Sequence, residues 1–414
     1  MLVVSDNARH EVVRSTTACR LCGSGDLDSV ISLGNLYVNA FPKAPDPALP
    51  RAPLHLVRCA KCGLAQLADT VAPDLLYRET FWYRSAVNST MRYHLAELVR
   101  ESSVALDRLG GPRAWLDIGA NDGYLLEEVG GQWAGCRRVG VEPARNLRDE
   151  CLLHADEVIS DYFKADSLAG QKFDIITSVA MFYDLDDPHA FVQDVLKVLA
   201  PKGIWVNQLS YTPTMLRRTA FDNLCHEHLC YYDLTTLSRL YHQHGLTVRG
   251  VEFNDINGGS FRVYAQRKDE VGPTWGQVGQ LLRCELEDAN QAAYQGFAQR
   301  VEKWQRQVPL LLSALPQPIH VYGASTKGNT LLQFMGTWTG LFSAAADRNP
   351  DKWGRFMVGS NLPIISEEDS RAKLPGTYFV LPWAFREEFL KREQAFRDRG
   401  GILVFPLPNF EVCL

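Results

Sequence analysis

Chemistry in this chain can come from three groups of residues. The first lies in Trp115-Leu-Asp-Ile-Gly-Ala-Asn-Asp-Gly-Tyr124, an apolar run and a turn holding Asp117, Gly119, Asn121, Asp122 and Gly123, after which Tyr124 opens a helix. That is the strand, loop and helix of a nucleotide-binding α/β unit. Glu142-Pro143, after Val139-Gly-Val, stands where an acid accepts from ribose hydroxyls. A dinucleotide would bring its pyrophosphate to the helix N-terminus. There Asp117 and Asp122 would repel the phosphates by several kcal/mol in a partly desolvated cleft. A phosphate-free, cationic nucleoside suits the turn better: S-adenosylmethionine carries a sulfonium and an ammonium and still offers a ribose to Glu142. A βα turn that binds nothing is the bland alternative. Asp161, Tyr162 and Ser178 complete the candidate cofactor contacts.

The second group is Cys19-Arg-Leu-Cys22 with Cys59-Ala-Lys-Cys62. Each C-x₂-C knuckle presents two thiolates from one tight turn, the pattern of a tetrahedral Cys₄ zinc site. Such a site has no open coordination position, so the zinc is read as structural, folding a module too small to bury its own core. A redox pair or plain core cysteines are the alternatives.

The third group is His226-Glu227-His228, within Phe221-Asp-Asn-Leu-Cys-His-Glu-His-Leu-Cys-Tyr-Tyr232. It follows a strand ending Asn207-Gln208, and so falls beyond the carboxyl ends of the strands, the ligand crevice of an open α/β sheet. Histidine is matched to proton transfer near neutral pH, and a flanking carboxylate can orient the ring. In an extended segment both histidines share a face and Glu227 points away, so the residues alone leave the choice of base open. Two alternating histidines are no zinc set, and H-E-x-x-H is absent. A histidine pair that merely caps a loop is the structural alternative.

These groups need elements to hold them. From Trp115 to Gln266, apolar runs near 115–118, 138–142, 173–178, 203–208, 246–253 and 261–266 alternate with amphipathic stretches. The pattern predicts one α/β sheet with helices on both faces. Only Asn254–Gly259 separates the last two runs, too little for a helix, so they form an antiparallel hairpin at the sheet edge. That ending marks a class I methyltransferase sheet rather than an all-parallel dehydrogenase sheet. Met91–Arg100 reads as a helix entering this domain, and residues 1–17 as polar and loose. Between the knuckles lies a Pro/Ala-rich loop at Phe41–Pro47. Leu75–Ser85 is crowded with aromatics and cations that suit a sugar or base as well as a core. Residues 271–313 read as a long helix or helix pair. Ile319–Asn329 then begins a second strand, turn and helix, and strands near 342–347, 378–381 and 402–405 complete a Rossmann-like C-terminal domain. Its turn is no Walker loop, but Ser325, Thr326 and Lys327 at a helix N-terminus can hold a diphosphate; a purely structural turn is the alternative. The expected domains are 1–90 (zinc-binding), 91–270 (methyltransferase) and 271–414 (helical linker and α/β).

Composition bounds the rest. The 414 residues are too many for one core; 46% are hydrophobic and 22% charged, as in ordinary globular chains. A net charge of -5 without a basic stripe argues against nucleic-acid binding. No run approaches the roughly 18 apolar residues of a membrane helix. The start has no basic n-region or apolar core, so the expected location is the cytoplasm, without membrane partners.

In combination, the two knuckles, Tyr83-Arg-Ser85 with Thr90-Met91, the Asp117–Gly123 loop, His-Glu-His and Gly323-Ala-Ser-Thr-Lys-Gly-Asn329 resemble the sugar C-methyltransferases of deoxysugar biosynthesis. The best-known type is the 3-C-methyltransferase acting on dTDP-3-amino-4-keto sugars. The resemblance covers nearly the whole chain. It implies a zinc-binding N-terminal domain, a central S-adenosylmethionine domain and a C-terminal α/β domain, with a nucleotide sugar bound between domains. The expected state of the chain is a monomer. It also implies that a base takes the proton beside the 4-keto group and that the enolate attacks the methyl. By resemblance the base is His228, supported by Glu227, with Tyr83 in the sugar pocket. Substrate contacts are expected from Asn207, Asn223, Tyr183, Ser325, Lys327 and Asn329, and oxyanion stabilisation from Tyr83, Asn223 or backbone N–H groups. Two positions depart from the pattern: Cys225 replaces a tyrosine, and Tyr183 stands near where many members carry histidine. A thiol is too weak a donor to copy a phenol, so the substrate or the proton route is expected to differ. O- or N-methyl transfer, and noncatalytic nucleotide-sugar binding, are the rival readings.

Overall fold

The computed structural model describes residues 12–414 apart from Thr80, Val271 and Pro273. Of the stretch expected to be loose, residues 1–11 lie outside the described residues.

The N-terminal part contributes β1 (Val13–Ser15), β2 (Leu27–Tyr37), β3 (Arg51–Cys59), β4 (Ala65–Leu67) and β5 (Asp69–Val71). β2 and β3 are antiparallel, and the Pro/Ala-rich loop connects them. β3 alternates in burial, with Ala52, Leu54 and Leu56 inside and Arg51 and Pro53 outside, the period-2 habit of a half-buried strand.

The middle part begins with α1 (Ser89–Leu106), capped by the Asn88 side chain. It continues through β6 (Ala114–Ile118), α2 (Tyr124–Gln132), β7 (Arg137–Val141), β8 (Glu157–Ile159), β9 (Phe173–Val179), α3 (Pro188–Val198), β10 (Leu199–Ser210), β11 (Cys230–Tyr231), α4 (Leu234–Gln243), β12 (Leu246–Asn254) and β13 (Ser260–Arg267). Seven of these strands form one sheet in the order β12-β13-β10-β9-β6-β7-β8. β13 alone runs against its neighbours, pairing antiparallel with both β10 and β12. This is the expected edge hairpin, with β13 inserted between β10 and the outer β12. Ile175, Ile176, Ile204, Trp205 and Val206 are fully buried, as strands covered on both faces must be. β8 has three residues, all half-buried, too short for periodicity to reveal. β11 leaves the central sheet and joins the N-terminal one, whose order is β11-β4-β3-β2.

The expected helix pair is α5 (Val278–Asp288) and α6 (Gln291–Ser313). Beyond it lie β14 (Ile319–Tyr322), α7 (Thr326–Met335), β15 (Phe342–Asp347), β16 (Ile364–Ser366), β17 (Thr377–Val380), β18 (Ile402–Phe405) and β19 (Glu411–Cys413). They make a sheet ordered β16-β15-β14-β17-β18-β19, parallel except for β19. The edge strands β16 and β19, three residues each, were not expected from the sequence.

One buried carboxylate joins the linker helices to the middle domain. Glu285 of α5 accepts from the Tyr211 phenol at 2.7 Å, from the backbone N–H groups of Leu234 and Thr235 at 2.8 Å each, and from the Thr235 hydroxyl at 2.7 Å. It meets the N-terminus of α4, where a negative charge is favourable. Glu285→Ala should strand these buried donors and lower stability by about 3 kcal/mol, measured by chemical unfolding.

Candidate functional site

One cleft of about 560 Å³ opens where the three parts meet. On its middle-domain side is the turn after β6. Gly119, Asn121 and Gly123 there have φ of 78°, 54° and 82°. A Cβ on Gly123 would fall 2.9 Å from the Cys151 Cα, so both backbone conformation and space demand glycine. Glu142 closes the turn: its two oxygens accept from the Asn121 and Ala144 N–H groups, each at 2.8 Å. Asp117, Gly119, Asn121, Glu142, Pro143 and Tyr162 line the cleft. Asp117 accepts from the Thr177 hydroxyl at 2.7 Å. Burial pushes its carboxyl up to about 7 against that hydrogen bond, and the charge of Glu142 adds to the rise.

Several expected cofactor and substrate contacts turn elsewhere. Asp122 does not face the cleft: it accepts from the Ala86 N–H at 2.8 Å, a backbone donor that would otherwise be stranded. Asn121 accepts from the Ser85 N–H and donates to the Tyr83 carbonyl, both at 3.0 Å. Together they latch residues 83–86 onto the turn, while Arg84 of that segment pairs with Glu150 and Asp351. Ser178 and Asn207 turn inward, into a buried chain running from Trp205 Nε1 to Ser178 (2.9 Å), to Asn207 (3.0 Å), to the Tyr241 hydroxyl (2.8 Å). Asp161 is exposed and pairs with Arg78 at 3.1 Å; Tyr162 lies under the same guanidinium and donates to Asp74 at 3.0 Å. Asn329 is fully buried and donates to Asn39 at 2.6 Å, holding the zinc module rather than lining the cleft.

The His-Glu-His segment is a turn, not an extended strand: the His228 N–H donates to the Cys225 carbonyl at 3.1 Å. The expected alternation therefore fails. Glu227 and His228 line the cleft together, while His226 points away, with Nε2 3.0 Å from the Ala52 carbonyl of β3. His228 Nδ1 lies 2.9 Å from the Asn223 carbonyl. A carbonyl only accepts, so Nδ1 carries the hydrogen and Nε2 the lone pair. Burial, then the Lys327 charge, push the imidazole down to about 3, so it is neutral at pH 7. Its ring lies 4.4 Å from that of Tyr183. Lys327 donates to the Asn223 side chain at 2.6 Å, which places Asn223 behind His228 as its support. Ser325 caps α7 by accepting from the Gly328 N–H at 3.0 Å.

Three further cleft residues escaped the sequence reading. Tyr77, in the single helical turn Asp74–Arg78, donates its phenol to the Glu227 carbonyl at 3.0 Å. Asp184 and Asp222 bring buried carboxyl groups to the same cleft. Tyr77 sits in the aromatic stretch already singled out, beside Tyr83, which is half-exposed and lines the same cleft; nothing in spacing separates the two.

The four knuckle cysteines come together with all Sγ atoms within 4.8 Å of one another, Cys19 to Cys62 at 3.4 Å and Cys22 to Cys59 at 3.5 Å. Tetrahedral Zn–S bonds require S–S edges of about 3.8 Å, close enough to these separations for the four thiolates to hold a zinc ion. The thiols are unbridged, and the Leu21 N–H points at Cys19 Sγ at 3.4 Å. With four protein ligands the ion is structural.

A seven-stranded sheet whose inner hairpin strand alone is reversed, with an acid-closed glycine turn, defines a class I S-adenosylmethionine-dependent methyltransferase, here fused to a zinc module. Comparison with known proteins narrows the class. Residues 19–77 match a zinc binding domain family, 87–251 a methyltransferase domain and 255–408 a C-methyltransferase C-terminal domain. The C-methyltransferase NovU of Streptomyces niveus is 30% identical over 96% of this chain and 97% of its own length. A malonyl-[acyl-carrier protein] O-methyltransferase of Hahella chejuensis is 27% identical over 30% of this chain and 44% of its own. Among solved structures, the plantazolicin methyltransferase BpumL with bound SAH is similar at 11% identity and a TM-score of 0.36, over 44% of this chain and 86% of that one. The chain belongs to the S-adenosylmethionine-dependent C-methyltransferase family; it uses S-adenosylmethionine and carries a structural zinc. Among the described residues no helix is long and apolar enough to cross a membrane.

Cys59→Ser should abolish stoichiometric zinc by metal analysis. Because β11 pairs with β4, it should also cut turnover more than affinity for S-adenosylhomocysteine, compared by assay and calorimetry.

Proposed function

We propose that this enzyme methylates the carbon beside the ketone of a nucleotide-linked 4-keto sugar, through an enolate formed by His228. The observation that carries the reading is a neutral imidazole in the shared cleft, its Nδ1 committed to the Asn223 carbonyl and its Nε2 left as a base.

The C-terminal module supports a nucleotide. β14, its turn and α7 repeat the geometry of the cofactor turn: Asp347 accepts from the Ala324 and Asn349 N–H groups, each at 2.8 Å, as Glu142 does from Asn121 and Ala144. Ser325 and Lys327 at the α7 N-terminus suit a diphosphate. One acid-closed turn then serves each nucleoside, and the sugar lies between them.

S-adenosylmethionine, when bound, supplies an electrophilic methyl on a cationic sulfur; Asp117 and Glu142 answer its charge. The chain's own task is the proton. His228 Nε2 removes it from carbon, and as charge moves onto the ketone oxygen, the Lys327 field that held the imidazole pKa down is partly cancelled, so basicity rises as it is needed. Alignment of the carbon with the methyl follows from holding both ligands in one frame.

Incubation with NDP-4-keto sugars in D₂O without S-adenosylmethionine should place deuterium beside the ketone. His228→Ala should lose that exchange and most turnover while keeping S-adenosylhomocysteine affinity. No exchange with any such sugar would point to an oxygen or nitrogen acceptor instead. Asp117 has a raised pKa, so it is protonated below about pH 7 and ionised above it. Affinity for the cationic cofactor should therefore gain a rise through this range, by calorimetry from pH 6 to 8, that Asp117→Asn lacks.

A further inference from the structure

Two carboxyl groups line the cleft, each with one buried oxygen that has no hydrogen-bond partner. Asp184 follows β9, and Glu227 belongs to the histidine turn; both line the cleft with His228. Asp184 Oδ1 and Glu227 Oε2 are closed to solvent and have no hydrogen-bond partner. The groups facing Asp184 are Glu227 and Cys225 from the histidine turn, Tyr231 of β11, Tyr77, Tyr183 from its own turn, and Lys327 from α7. Of these only Lys327 is positive, and its Nζ is bonded to Asn223. A third buried carboxyl, Asp222, accepts from Trp383 at 2.8 Å.

Two buried carboxylates beside one cation cannot both stay ionised, since each charge raises the cost of the other and neither is hydrated. Burial first, then the Glu227 charge, push Asp184 well above the ordinary carboxylate range, and burial raises Glu227 as well. One proton converts an orphaned acceptor into a donor and removes one of the two charges. A neutral carboxyl held in an apolar site is then a strong donor to a developing oxyanion.

We infer that Asp184 and Glu227 hold one proton between them, and that Asp184, as the neutral partner, donates to the substrate ketone oxygen while His228 takes the α-proton. This rests on the proposed 4-keto acceptor. The C–H pair becomes the C=C bond, and the carbonyl pair moves onto oxygen, which takes or shares the Asp184 proton. When the C=C pair forms the C–CH₃ bond and the S–CH₃ pair stays on sulfur, C=O re-forms and the proton returns to the carboxyl pair; the His228 proton leaves to solvent. The arrangement also answers the thiol at Cys225, since the carboxyl supplies the oxygen donor that a cysteine cannot.

The test compares wild type, Asp184→Asn and Asp184→Ala, each first shown to bind S-adenosylhomocysteine. It reads deuterium uptake into NDP-4-keto sugars without S-adenosylmethionine, and the pH dependence of kcat. Asn keeps an N–H donor but cannot ionise. It should exchange within about tenfold of wild type and lose the alkaline fall in kcat, which in wild type marks departure of the shared proton. Ala should lose about 100-fold or more in exchange. The assignment is overturned if Ala exchanges at the wild-type rate, if Asn and Ala fail alike with the alkaline fall intact, or if the loss is confined to KM. If wild type exchanges with no sugar, the substrate reading falls and takes this assignment with it, a result distinct from exchange that ignores Asp184.

Discussion

The cleft depends on a strand of two residues. Cys230 and Tyr231 pair with Gln66 and Ala65 of the zinc module, and the Leu67 N–H bonds the Leu229 carbonyl at 2.9 Å. The preceding turn has little regular structure of its own, and each hydrogen bond is worth only about 1 kcal/mol net. What fixes it is agreement among several anchors: this pairing, His226 on the Ala52 carbonyl and Tyr77 on the Glu227 carbonyl. Cys59 ends β3 and Cys62 precedes β4, so the zinc clamps the hairpin to which the turn is sewn. A closed metal site far from any reacting atom thereby sets where the proposed base points.

The same logic shows why the glycine turn is acidic. Asn121 and Asp122 spend their side chains on the backbone of residues 83–86 rather than on a ligand. The proposed preference for a cationic nucleoside rests instead on Asp117 and Glu142, both buried and both lining the cleft. Arg84, in the latched segment, reaches Glu150 of the middle domain and Asp351 of the C-terminal one. The proposed cofactor turn is therefore tied to the C-terminal domain.

The central sheet was legible because its parallel strands are covered on both faces and read as unbroken apolar runs; the N-terminal sheet was hidden because the pairing of β2 with β3 shifts register twice, which blurs alternation. The histidine orientation failed for a different reason: a period-2 argument assumes an extended backbone, and residues 225–228 turn. Ser178 and Asn207 were placed at the correct strand ends, but position along a strand does not say which face a side chain takes. The Trp205 indole and the Tyr241 hydroxyl, distant in sequence, decide that. Tyr77 rather than Tyr83 meets the histidine turn because one helical turn at Asp74–Arg78 rotates it inward, which residue type cannot disclose.

If the proposed nucleotide sugar and the cofactor occupy separate turns, a problem of rigidity arises, since a carbon and a methyl must meet in line from opposite walls. Small domain shifts would spoil that alignment. The zinc module resolves it by touching both sides. Its β11 partner carries the histidine turn, while the Tyr37 N–H bonds Gln333 at 2.7 Å, and Asn39 bonds Thr326 and Asn329 at 3.0 and 2.6 Å on α7, the helix of the C-terminal turn. Asn223, bonded by Lys327 through its side chain and by His228 through its carbonyl, closes the loop between the proposed base and the C-terminal wall. The base is thus referenced to the proposed nucleotide site by two independent routes, one through β-sheet and one through a single amide, so displacement of either wall must carry the imidazole with it.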